Sequence, residues 1–211
     1  LKLQKPINLP TNGTAKQGRP LKEIIKHKDT ILALLSSATA FVVMGMAMTT
    51  TPIAMHGFGH PSDSPATVIQ WHVLGMFLPS FFTGMLIQKF GVYRIIFTGI
   101  LLLLLYIIIA VTGNGFTNFV TALFIVGVGW NFLFIGGSSL LTKVYRPEEK
   151  EKTQAFNDFT VFTAMAISSF FAGSLYNNFG WNGVNLVLLP LLIVTLIVAI
   201  RMMKADIKTD Y

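Results

Sequence analysis

Six apolar runs, each about as long as a helix needs to cross a lipid bilayer, decide what this chain can fold into. A helix rises about 1.5 Å per residue and the hydrocarbon core is about 30 Å thick, so a crossing takes roughly 20 residues. The runs cover approximately residues 30–55, 66–88, 95–112, 118–141, 155–177 and 184–203. Between them lie turn-forming segments at 56–65, 113–115, 146–152 and 177–183. Backbone groups in lipid must be satisfied within their own segment, and strands of this length and composition would not close a barrel. The expected fold class is therefore an all-α integral membrane protein with six transmembrane helices.

Composition agrees. Charged residues make up 12% of the chain and hydrophobic ones 53%, whereas soluble domains carry about 25% charged residues. Cysteine is absent, which excludes disulfides, thiolate metal sites and thiol nucleophiles. The chain opens on Leu1, and its first 28 residues are polar and basic with no apolar signal core. A fragment, or a chain numbered from an internal point, is the expectation from these features.

The net charge of +7 raises nucleic acid as a partner, but the placement of the charges argues against it. Lys2, Lys5, Lys16, Arg19, Lys22, Lys26 and Lys28 precede the first run; Lys89 and Arg94 separate the second from the third. Lys143, Arg146, Lys150 and Lys152 separate the fourth from the fifth, and Arg201, Lys204 and Lys208 follow the last. All sixteen fall on one side. By the positive-inside rule both termini are expected in the cytoplasm, and the charge is a mark of topology. The Asn12-Gly-Thr14 sequon lies on that same side and reads as a chance match.

The chain also repeats itself. Ser80-Phe-Phe-Thr-Gly84-Met-Leu86 recurs as Ser169-Phe-Phe-Ala-Gly173-Ser-Leu175, and Phe90-Gly91 recurs as Phe179-Gly180, all at an offset of 89 residues. The first copy closes the second span at the basic side; the second closes the fifth span at the other. A pattern that returns upside down three helices later is expected of an inverted 3+3 repeat, a plan on which many secondary transporters are built. Within it the third and sixth spans, rich in Leu and Ile, suit lipid, while the other four carry polar groups that line something.

The stretch Gly84-Met-Leu-Ile-Gln-Lys89-Phe-Gly91-Val-Tyr-Arg94 resembles the loop motif of the major facilitator superfamily, Gly-x-Leu-Ala-Asp-Arg-Phe-Gly-Arg-Lys-Arg. Gly84, Leu86, Phe90, Gly91 and Arg94 match and Lys89 is conservative, whereas Gln88 replaces the acid and Val92 and Tyr93 replace two basic residues. The stretch 127–142, beginning Gly127-Val-Gly-Trp-Asn, is similar to the tenth helix of bacterial members, and 146–158 to the loop after it. The resemblance implies helices seven to twelve of a twelve-helix transporter in a bacterial inner membrane. It implies residues 1–28 as the central cytoplasmic loop, 29–204 as the six-helix membrane domain and 205–211 as a cytoplasmic tail. It also implies a gating role for Gly84, Lys89, Gly91 and Arg94, weakened by the lost acid, and an N-terminal six-helix half as partner.

Candidate site residues follow from polarity at depth. Trp130 and Asn131 lie near the middle of the fourth span, where transporter sites sit, and read either as cavity lining or as an interhelical hydrogen bond. His72 and Gln70 in the second span, and Thr50 beside Pro52 in the first, are further cavity candidates. Asp158, near the basic end of the fifth span, is the proton-coupling candidate. Gly84 and Gly173 are expected to permit close helix approach. His56, His60 and Asp63 sit in a Gly-rich loop and read as solvated, so no metal is expected. No nucleophile–base–acid set or phosphate loop is evident, so neither an enzyme nor a cofactor is expected. The expected function is alternating-access transport of a small solute through a lipid bilayer. A non-transporting membrane scaffold on the same fold, or a six-helix homodimer, is the alternative.

Overall fold

The computed structural model describes residues 18–209. Its helices are α1 (Leu21–Ile25), α2 (Lys28–Gly57), α3 (Ser64–Phe77), α4 (Ser80–Phe90), α5 (Val92–Thr112), α6 (Phe116–Thr142), α7 (Lys150–Leu186) and α8 (Leu189–Thr209), with a 3-10 turn at Pro147–Glu149. Among the described residues there is no strand. Residues 1–17 and 210–211, parts of the expected basic loop and tail, lie outside the described residues.

Long apolar helices account for the crossings. Four stretches, Lys28–Gly57, Ser64–Phe90, Val92–Thr112 and Phe116–Thr142, each supply one. The fifth, Pro147–Asp206, is 60 residues long and holds two. Gly180 divides them with a left-handed backbone (φ 64, ψ −171). Contacts at both ends show the reversal. The chain enters α7 beside Arg19, Trp181 just past the break bonds Ala110 at the far end of α5, and Arg201 lies beside Lys28 again. The expected loop at 177–183 is thus corrected to a single-residue turn. Helical hydrogen bonding continues close to both sides because glycine adopts positive φ without a Cβ clash. Gly91 does the same between α4 and α5 (φ 87, ψ 150). At Pro79 the second crossing bends into α3 and α4, since proline has no N–H for the turn before it.

α2 and α6 form the centre. α3 packs on α6, α7 on α2, α5 on α6, and α8 on α5 and α2. The α3–α6 crossing is close because both helices present glycine: a Cβ on Gly75 would meet the Phe124 carbonyl, and one on Gly127 the backbone of His72 and Gly75. Gly84 and Gly173 are different. A Cβ on either meets nothing within 4 Å, so among the described residues neither permits a helix approach. That expectation is corrected; the motif's aromatic and glycine residues lie on an open face, where Phe81, Phe82, Phe170 and Phe171 are all exposed.

The repeat extends well beyond its motif. At the same offset of 89, buried His72, Thr83, Val92, Ile95, Leu103, Tyr106 and Ala110 are matched by buried Val161, Ala172, Trp181, Val184, Leu192, Thr195 and Ala199. Gly91 lies at the basic end, where neighbouring Tyr93 bonds Asp29, and Gly180 lies at the opposite end. Repeat mates Phe41 and Trp130 touch, with ring centroids 5.3 Å apart. Equivalent residues in contact mark the position of a pseudo-two-fold axis, here between α2 and α6.

Candidate functional site

Around that axis stands a cluster of four rings. Trp130 and Phe134 are one helical turn apart on α6 and share a face, stacking at 5.0 Å and 29°. Phe41 of α2 meets Trp130, meets Phe134 at 5.2 Å and meets Phe162 of α7 at 5.8 Å. Phe162 is 60% exposed, so the cluster opens onto the free face of α7. The Trp130 Nε1 donor is buried and has no partner. A buried donor left unpaired is costly, and this one lies beside flat apolar surfaces.

Asn131, next to Trp130 in sequence, faces elsewhere. Its amide nitrogen donates to the Met76 carbonyl (2.7 Å) and to Ser80 Oγ (2.6 Å). Its carbonyl accepts from Thr83 Oγ1 at 2.6 Å, and Thr83 also bonds the Pro79 carbonyl. The side chain is fully buried. Asn131 therefore pins the Pro79 bend to α6, and the structure separates it from Trp130 instead of joining the two in one wall.

The other expected residues are also distributed. His72 Nδ1 lies 2.9 Å from the Leu123 carbonyl, beside the Gly75–Gly127 crossing. Since that carbonyl only accepts, Nδ1 carries the proton, and the buried Nε2 is left without a partner. Thr50 is buried and returns its hydroxyl to Met46 of its own helix (2.8 Å). Gln70 is exposed. Asp158 is exposed on α7 and accepts from Asn157 at 3.2 Å. Lys89 lies over the Phe90 ring at 5.2 Å, and Arg94 is exposed with no ion pair among the described residues. In this chain Gly91 supplies turn geometry. His60 Nε2 meets the Asn114 carbonyl at 2.8 Å, tying the loop after α2 to the one before α6.

A further contact escaped the sequence. Glu149, buried after α6, accepts from Arg19 N (2.7 Å), Arg19 Nε (2.9 Å), Arg19 Nη2 (2.8 Å) and Arg146 N (2.9 Å). Arg19 Nη2 also reaches the Val144 carbonyl, and Lys152 Nζ donates to the Arg19 carbonyl. The Arg19 side chain, with help from the Arg146 and Arg19 backbone N–H groups, holds the Glu149 carboxyl well below the usual carboxylate range; the same bond raises Arg19. Part of the expected loop is thus strapped to the bundle. The one sequence signal for it was the set of acids, Glu148, Glu149 and Glu151, among the basic residues of 143–152. The aromatic partners had a clearer one, since Phe41 is the repeat mate of Trp130.

A sequence profile of the Major Facilitator Superfamily matches residues 14–210, and the chain belongs to that family. It is 43% identical over 187 residues to a riboflavin transporter, RfnT, of Brucella anthropi, covering 89% of this chain and 47% of that protein. Two uncharacterized MFS-type transporters of Bacillus subtilis, YdeG and YddS, are 33% and 31% identical, covering 71% and 72% of this chain and 35% and 34% of theirs. The chain spans about half or less of the length of these curated relatives.

Proposed function

We propose that this chain forms the C-terminal half of a secondary transporter that carries a planar heteroaromatic solute, of the riboflavin kind, by rocking against an N-terminal six-helix half. The single observation that carries the substrate class is the ring cluster of Phe41, Trp130, Phe134 and Phe162, with the buried indole N–H of Trp130 unpartnered. Offset stacking on such rings adds about 0.5–1.5 kcal/mol beyond area burial, and a ring nitrogen or carbonyl of the solute would satisfy the Trp130 donor. The 43% identity to a protein named as a riboflavin transporter supports the same class.

In this reading Trp130 contacts solute, while Asn131 and His72 position the helices that carry it. The exposed phenylalanines of α4 and α7 face the partner half. The basic end, with both termini, lies in the cytoplasm of a bacterial cell, and residues 1–28 lead from the other half.

The test is uptake of labelled riboflavin by a riboflavin-requiring bacterial strain that expresses the intact protein at verified membrane abundance. Wild type restores uptake above the vector level, Trp130→Ala abolishes it at unchanged abundance, and Trp130→Phe retains part of it. Wild-type uptake at the vector level, or undiminished uptake by Trp130→Ala, overturns the reading.

A further inference from the structure

A cavity lies away from the ring cluster, at the basic end of the bundle. It has a volume of about 400 Å³ and is lined by Lys28 and Ile31 of α2 and by Val198, Arg201, Met202 and Ala205 of α8. We propose that it binds an anionic phospholipid of the adjoining leaflet, phosphate at the rim and acyl chain below.

The register of the two helices gives the cavity an amphiphile's shape. α2 runs into the bundle from Lys28, and α8 runs out of it to Arg201. Ile31 and Val198 each lie three residues deeper than the cation of their own helix, about 4.5 Å at the helical rise. Two cations therefore stand over an apolar floor, with Met202 on the side.

The charges are available to a ligand. Lys28 and Arg201 are both exposed, and among the described residues neither forms an ion pair. Lys28 opens the 30-residue α2, whose N-terminal dipole adds positive potential at the same rim. No acid lines the cavity. Of the acids close by, Asp29 accepts from Tyr93 OH at 2.9 Å and lies 3.9 Å from His27, while Asp206 also acts on Tyr93. Basic pockets between helices at the cytoplasmic side are suited to lipid headgroups. The inference uses the proposed orientation only to say which leaflet supplies the lipid, and it stands without any assignment of solute.

The experiment uses the intact protein in nanodiscs of phosphatidylcholine alone or with one-third phosphatidylglycerol, read by thermal unfolding and by native mass spectrometry. The anionic lipid should raise the melting temperature of wild type and remain bound after release. The shift should fall by at least half in Lys28→Ala/Arg201→Ala, but not in Lys143→Ala/Lys150→Ala, which removes as much charge at the same end. Val198→Trp, which keeps both cations and fills the floor, should also lose the bound lipid. Equal shifts in all variants overturn the proposal, as does a shift reproduced by inorganic phosphate in phosphatidylcholine, which would mark a free-anion site.

Discussion

The two ends of the bundle are tied by equivalent contacts of very different strength. His60 and Glu149 are repeat mates at the offset of 89. Each sits in the loop after the first helix of its triplet, and each bonds the segment that leads into the other triplet. His60 does so with one exposed hydrogen bond to the Asn114 carbonyl and an edge contact with the Phe119 ring at 5.7 Å. Glu149 does so from full burial, through a bidentate guanidinium and two backbone N–H groups. The inverted repeat thus supplies one frame twice, and local side-chain chemistry ties this pair of loops by charge at the basic end and without charge at the other.

Breaking the strong tie should give the largest effect. Arg19→Ala leaves a buried carboxylate without its counter-charge and should lower the melting temperature and folded yield sharply, whereas His60→Ala, at an exposed bond, should cost no more than about 0.5 kcal/mol. Equal melting of the two variants would remove the contrast between the ends. The pH dependence has a definite sign. Glu149 is depressed from its ordinary value of 4.5 in the folded protein, so its contribution is complete above that value and fades as pH falls toward the folded one. Wild type should therefore exceed Glu149→Gln in melting temperature at pH 7, and the gap should narrow in melts taken below pH 4.5.

Next in size come the glycines. Gly127→Leu should overpack the α3–α6 crossing by about 1–3 kcal/mol, because the new side chain meets the backbone of His72 and Gly75. Gly84→Leu and Gly173→Leu meet open space within this half. Both should leave its melting temperature unchanged and lower the proposed uptake by the intact protein, through the face proposed to meet the partner half. Destabilisation of the isolated bundle by either would contradict the open face.

A smaller effect is expected where the triplets diverge at Pro79. Asn131→Ala should cost about 0.6–1.7 kcal/mol, the range for interhelical hydrogen bonds in membranes. Ser168→Ala, at the repeat mate of Pro79 where α7 continues without a bend, should cost less, since its hydroxyl bonds only Met165 of its own helix. Thermal melts of the two variants side by side decide whether the bend is pinned as the geometry indicates.

Much of this was legible from residue pattern. The apolar runs, the one-sided basic residues and the repeat define the bundle and its inversion, because bilayer thickness and backbone satisfaction leave few alternatives. The turn at 177–183 was read too long, since Asn and Gly mark a turn without saying that one glycine suffices. Trp130 and Asn131 read either as cavity lining or as an interhelical hydrogen bond, but neighbours on a helix point about 100° apart: from α6, Trp130 meets Phe41 of α2 while Asn131 bonds Met76, Ser80 and Thr83 of the second crossing. The roles of Gly84 and Gly173 were hidden because a glycine's task depends on what packs against it. Arg19 and Glu149 were hidden because they meet across 130 residues, a contact no local spacing announces.

The inversion itself can be measured most directly at Lys89 and Asn178, repeat mates that are both exposed just before Gly91 and Gly180. This chain has no native cysteine, so Lys89→Cys and Asn178→Cys can each be introduced into the intact protein, in a background free of other cysteines, and probed with an impermeant thiol reagent. The account predicts that Asn178→Cys is labelled in intact cells and Lys89→Cys only after permeabilisation. Labelling of both positions from the same side would contradict it.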